Sequence, residues 1–165
     1  MEASQAIDAA SRMRAALEAK DPAALEALLA PDVVLHSPII STAFEGKPAV
    51  SELYAEIIAG YRDYRFIAQL EGDDGRRHLV AEGTLRGRRL ETVVAVRENG
   101  DGLIDDITVL IRPLAGVIAF LVALGPPLAR RRGRLHAIAI RLISPPLPLV
   151  AALVEWLAPK LVRTR

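Results

Sequence analysis

The chain has 165 residues, 52% of them apolar and 25% charged, enough for one domain with a sizeable core. It has no cysteine, which excludes a disulfide framework or a thiolate metal site and points to a reducing, cytoplasmic setting. The net charge of +1 hides an asymmetry: residues 130–165 carry eight basic side chains against one acid, Glu155, while residues 1–129 carry 13 basic and 19 acidic ones. A basic tail on an acidic body calls for an anionic partner, or for packing on the body of its own or a second chain.

The N-terminal stretch is mixed in charge and has no apolar h-region, which argues against a cleaved secretory signal. Ala6, Ile7, Ala10, Met13, Ala16 and Leu17 recur at three-and-four spacing, so residues 4–20 read as an amphipathic helix. Asp21–Pro22 restarts the chain with a good N-cap and a proline where no amide is needed. "PAALEALLA" then reads as a short helix ending before Pro31, and "DVVLHS" as a strand. Pro48 opens a third helix whose face is Val50, Leu53, Tyr54, Ile57, Ile58 and Tyr61. Four strands follow, "YRFIAQLEG", "RHLVAEGTLR", "RLETVVAVRE" and "LIDDITVLIR", joined by glycine-bearing turns. This order gives an α+β fold with helices segregated from a curved antiparallel sheet. From Leu114 the chain changes character, with an uncharged run to Ala129 interrupted by Gly116, Gly125, Pro126 and Pro127.

"LAPDVVLHSPI", residues 29–39, and "DDITVLIRPLAG", residues 105–116, resemble strings of the nuclear transport factor 2-like, or SnoaL-like, superfamily, in particular its small bacterial branch. The resemblance covers roughly residues 5–125. It implies a cone-like curved antiparallel sheet wrapped around the N-terminal helices, with a largely apolar pocket at the open end. It implies a domain over 1–125 and leaves 126–165 as an apolar, basic helical C-terminal extension without counterpart. It also puts His36–Ser37 near the pocket and suggests a homodimer formed through the outer face of the sheet.

The resemblance does not carry an activity with it, because this fold hosts many. Ketosteroid isomerases of the superfamily place a general-base carboxylate where this chain has Ser37, whose hydroxyl has no useful basicity near neutral pH, and an acid near Val94. Limonene-epoxide-hydrolase-like members need a carboxylate at about Arg112. Neither mechanism is expected here. The polar residues left as pocket candidates are His36, Ser37, Tyr54, Glu82 and Arg112. His36 has a pKa suited to base catalysis but more often such a residue is a hydrogen-bonded strand end; Tyr54, on an apolar helix face, is more often core. Asp105–Asp106 reads as a solvated pair without further metal ligands, and no metal or cofactor is expected. The basic cluster lacks interleaved aromatics, so nucleic acid is not an expected partner.

The expected function is binding of a hydrophobic small molecule in the cone, with turnover left open. The alternative is a non-catalytic interaction module whose tail docks on a partner subunit or a membrane surface. As a straight helix, Pro113–Ala129 would reach about 25 Å, short of a bilayer core. A spanning helix is therefore not expected, and a flap over the cone or a dimer arm is favoured over peripheral membrane contact through 130–165, because Pro145, Pro146 and Pro148 cut its apolar surface into short pieces.

Overall fold

The computed structural model describes residues 8–132 together with residues 149, 152–154, 156 and 157. Helix α1 (Ala9–Glu18) starts at the N-cap Asp8, whose carboxylate accepts the Ser11 N–H at 2.7 Å, and buries Ala9, Ala10, Met13, Ala16 and Leu17. Helix α2 (Pro22–Ala27) is capped by Asp21, which accepts the Ala23 and Ala24 amides at 3.0 Å each. It ends earlier than the sequence suggests. The Ile104 N–H reaches the Leu28 carbonyl at 2.8 Å, and sheet pairing claims Leu29 and Ala30 for strand β1 (Leu29–His36). Pro31 sits in that strand within a register shift between Leu29 and Val34, where an amide is not required.

A two-residue strand β2 (Phe44–Glu45), not anticipated from the sequence, pairs with β1 and precedes helix α3 (Lys47–Gly60). Then come β3 (Tyr61–Glu71), β4 (Arg77–Leu85), β5 (Arg88–Glu98) and β6 (Ile104–Arg112). Tyr61, assigned by periodicity to the face of the third helix, instead opens β3. The Arg112–Pro113 peptide is cis, and helix α4 runs from Leu114 to Arg132.

The six strands form one curved, unclosed sheet in the order β2-β1-β6-β5-β4-β3. It is mixed rather than wholly antiparallel, because β1 lies parallel to β6, with Leu35 beside Ile107 and His36 beside Thr108. A parallel neighbour is possible because the long connection between these strands contains α3 and four further strands. Helices α1, α3 and α4 pack on one face of the sheet. That inner face supplies Leu35, Leu79, Ala81, Leu85, Leu90, Val94, Val96, Ile107 and Val109 to a single core cluster. α4 is continuous across Gly116 and Gly125–Pro127, where breaks are expected from composition.

Leu79 is fully buried near the middle of this core. Leu79→Ala is expected to lower unfolding free energy by about 2–5 kcal/mol, read from urea denaturation. A loss below about 1 kcal/mol would mean that the inner face is not a close-packed core at that point.

Candidate functional site

The chain's three tyrosines all fall within residues 54–64, and the fold gathers them inside the cone. Tyr54 projects from α3 and is 3% exposed; Tyr61 opens β3 and is 4% exposed. Tyr64 lies between them and Phe66: its ring meets Tyr61 edge-on at 4.8 Å and Phe66 at 5.3 Å. Opposite them, β4 carries Gly83. A Cβ there would lie 3.0 Å from the Tyr61 ring and 3.1 Å from the Tyr64 ring, so glycine makes the space that the rings occupy.

The hydroxyls differ in how they are satisfied. Tyr64 Oη and Thr92 Oγ1 share a hydrogen bond of 3.2 Å, and Thr92 is buried on the inner face of β5. Tyr54 Oη is buried and has no hydrogen-bond partner, and neither has Ser51 Oγ one turn earlier on α3. Buried polar atoms are nearly always paired, and leaving one unpaired costs about 1–3 kcal/mol. Burial pushes the Tyr54 pKa up, and the neighbouring Tyr64 and Tyr61 hydroxyls push in the same direction. Tyr61 is raised by burial and then by Tyr64; Tyr64 is raised by burial, partly offset by its bond to Thr92. All three hydroxyls are therefore neutral at neutral pH. A narrow cleft lined by Leu17, Lys20, Ile57, Ile58, Tyr61 and Tyr64 reaches the Tyr61 and Tyr64 rings from outside.

The candidates chosen from sequence separate onto different faces. Strand alternation that sends Leu35 into the core sends His36 outward, and the His36 side chain is 48% exposed. Its Nε2 stands 3.5 Å from Asp106 Oδ2, whose other oxygen accepts from Arg76 at 2.5 Å. Asp106 is thus a buried, paired carboxylate rather than a solvated one. Its neighbour Asp105 accepts from Arg97 at 2.9 Å. Glu82 also faces outward and pairs with Arg65 and Arg89. Arg112 holds Glu91 through two hydrogen bonds of 2.7 and 2.8 Å, which keep the Glu91 carboxyl below the usual carboxylate range. Ser37, one residue past β1, is half-buried and its hydroxyl accepts the Ile39 N–H at 3.2 Å. Tyr54 alone of the five is in the core. Reading by residue type passed over Tyr61, Tyr64, Thr92 and Ser51. The clustering of every tyrosine within residues 54–64 was the available signal.

Helix α4 lies across the end of the sheet where β3 and β5 begin and β4 and β6 finish, against α3. This is the mouth of the cone. Ala115, Ala119, Phe120 and Leu124 are buried there, and Phe120 and Leu124 belong to the same cluster as the tyrosines. Among the described residues, no helix is long and apolar enough to cross a membrane, and no group of three His, Asp or Glu could hold a metal ion.

A sheet curved around helices, with polar groups gathered inside its apolar cone, defines the nuclear transport factor 2-like class of folds. Residues 10–112 match the SnoaL-like domain family, and the chain belongs to it. Among solved structures, it is similar to a steroid delta-isomerase from Pseudomonas aeruginosa, with 27% identity and a TM-score of 0.70, covering 75% of this chain and 91% of that one. A Silicibacter pomeroyi protein with a cystatin-like fold is 22% identical, with a TM-score of 0.69 over 84% of this chain and 95% of that one. A Mycobacterium tuberculosis protein solved in complex with estradiol-17β-hemisuccinate is 22% identical, with a TM-score of 0.52 over 64% and 95%. No curated protein matches the chain in sequence.

The tyrosines give a test of this interior. In the folded protein their pKa values lie above the free value of about 10, so above that pH the unfolded chain releases protons that the native chain retains. Stability is therefore full below about pH 10 and falls as pH rises beyond it. Phenolate absorbance is expected to stay flat through that pH and then rise together with loss of the folded circular-dichroism signal. A phenolate signal near pH 10 from intact protein would show a tyrosine open to solvent.

Proposed function

We propose that the cone binds a small molecule with an apolar body and one hydrogen-bonding atom, which Tyr54 Oη and Ser51 Oγ receive. The observation that carries this reading is the pair of buried, unpartnered hydroxyls on one side of α3. Apolar side chains surround them, so an apolar body would be matched, and a ligand oxygen at Tyr54 would relieve the unpaired donor. The steroid delta-isomerase and the estradiol-17β-hemisuccinate complex among similar structures support a flat, ring-bearing ligand class.

Binding rather than proton transfer is favoured by the inner face. Thr92 and Asp106 are the buried polar or charged residues described outside the tyrosine group, and Asp106 is turned to the outer side and held by Arg76. Val94, near which an isomerase would carry an acid, is 4% exposed on the inner face and offers only hydrocarbon.

Tyr54→Phe separates ligand binding from folding. The variant should bind estradiol-17β-hemisuccinate about tenfold more weakly in titration calorimetry, the value of one hydrogen bond. Without ligand it should be as stable as the parent or more stable by about 1 kcal/mol, because an unsatisfied hydroxyl has been removed. Equal affinity of parent and variant would take Tyr54 out of the site. If native mass spectrometry of the purified protein and of its mixtures with apolar ring compounds finds none retained, the binding reading itself falls.

A second surface supports a homodimer. Leu110, Val93, Val80 and Ala68 line up across the outer face in successive strand registers, with Leu110 59% exposed. The next row is Arg112, Glu91, Glu82 and Arg65, whose charges are paired across the strands at each end. A row of this kind repeats its pattern when turned by a two-fold axis, the geometry of an isologous interface. Leu110→Glu should then halve the mass measured by light scattering after gel filtration. A parent protein that is monomeric at micromolar concentration would exclude this interface. The alternative role for the tail, docking on a partner or an anionic membrane, rests on residues 130–165, most of which lie outside the described residues. Leu149, Leu153 and Val154, which are described, are exposed.

A further inference from the structure

We infer that α4 is a releasable plug: the groove between α3 and the mouth of the sheet holds either Phe120 and Leu124 or the apolar body of a ligand, in turn. The ligand half of this inference rests on the binding reading above; the release of α4 does not.

Three features of α4 lead to it. The helix joins the core through a narrow stripe, Ala115, Ala119, Phe120 and Leu124, while Leu114 is exposed and Val117, Ile118, Leu121 and Val122 are half-exposed. Phe120 and Leu124 fill the mouth of the same cluster that contains Tyr54, whose hydroxyl stays unpartnered with the plug in place.

The helix is also weak where it leaves the cone. Pro126 and Pro127 have no amide hydrogen, so the carbonyls of Val122 and Ala123 lose the donors that an uninterrupted helix would give them. Arg86, in the exposed β4–β5 turn, donates from Nη1 to the Val122 oxygen at 3.0 Å. A surface side chain thus replaces the missing helical bond and ties α4 to the hairpin. That tie can open without disturbing the sheet.

Finally, the docked position is a close fit. Gly116 lies over Leu90, and a Cβ at Gly116 would stand 2.7 Å from Leu90 Cβ and 3.6 Å from Leu90 Cα. A larger residue there forces α4 and Leu90 apart.

Hydrogen exchange by mass spectrometry on the full chain, without ligand, tests the release. Amides of 117–124 should exchange through an opening that leaves β4 and β5 protected. Arg86→Ala should speed exchange of these amides about three- to tenfold, the factor corresponding to one hydrogen bond, and leave the strands unchanged. Gly116→Ala should do the same through the clash with Leu90. If α4 exchanges only together with the sheet in the parent and in Arg86→Ala, the plug is a fixed wall and the inference is overturned. With estradiol-17β-hemisuccinate added, exchange should rise in 117–124 and fall in α3; protection of both elements would equally overturn it. Should α4 open on its own while the probe binds neither the parent nor Gly116→Ala, the release inferred here stands and the binding reading fails.

Discussion

The parallel pairing of β1 with β6 holds the two ends of the domain together. Leu29 beside Ile104 and Leu35 beside Ile107 place the strand that follows α2 next to the last strand of the meander. Without that contact α1–α3 would be a helical segment tethered to a four-stranded sheet with one apolar face in water. With it, α1 crosses behind β3–β5, and the Ala9 N–H meets Glu98 at 2.6 Å while Arg12 donates to the Gly102 carbonyl at 2.6 Å. The inner face becomes continuous, and the sheet's curvature turns it into a cone.

That geometry sorts the polar chemistry by strand alternation. Carboxylates and guanidiniums fall on the outer face and neutralise each other there, as in Arg65 with Glu82 and Arg112 with Glu91. Among the described residues, the tyrosines, Ser51 and Thr92 supply hydroxyls inside, which a low-dielectric interior tolerates far more readily than ions. An interior of this kind can orient a ligand by hydrogen bonds. Tyr61 and Tyr64 pack over Gly83, Tyr64 bonds Thr92, and Tyr54 on α3 adds a buried hydroxyl to the same apolar core.

Helix α4 covers one end of this core, against α3 and the sheet. It is part of the core by burial and part of the surface by its half-exposed face, and beyond its packing on Leu90 the Arg86 side chain ties its Val122 carbonyl to the β4–β5 turn. An element joined to the core by a narrow buried stripe, with an exposed hydrogen bond and two prolines that each withhold a helical amide, belongs to the less stable part of a fold.

Much of the architecture was legible from pattern alone. The three-and-four spacing of α1, the Asp21–Pro22 start of α2, the alternation in β4–β6 and the superfamily strings around "LHSPI" specify helices, strands and an α+β cone, because side-chain periodicity and capping are local properties. Register, face and handedness of pairing are not local. Whether His36 or Leu35 looks inward depends on which neighbour β1 meets, and β6 is some seventy residues away in sequence. The same long-range pairing cut α2 short by claiming Leu29 for the sheet. It also moved Tyr61 from a helix face into a strand and left Asp106 buried against Arg76. Residue type by itself drew attention to histidine, glutamate and arginine, the side chains that ordinarily do chemistry. The tertiary structure placed those on the outer face and brought together three tyrosines, a serine and a threonine inside, because only groups that remain neutral can be buried there without a charged partner.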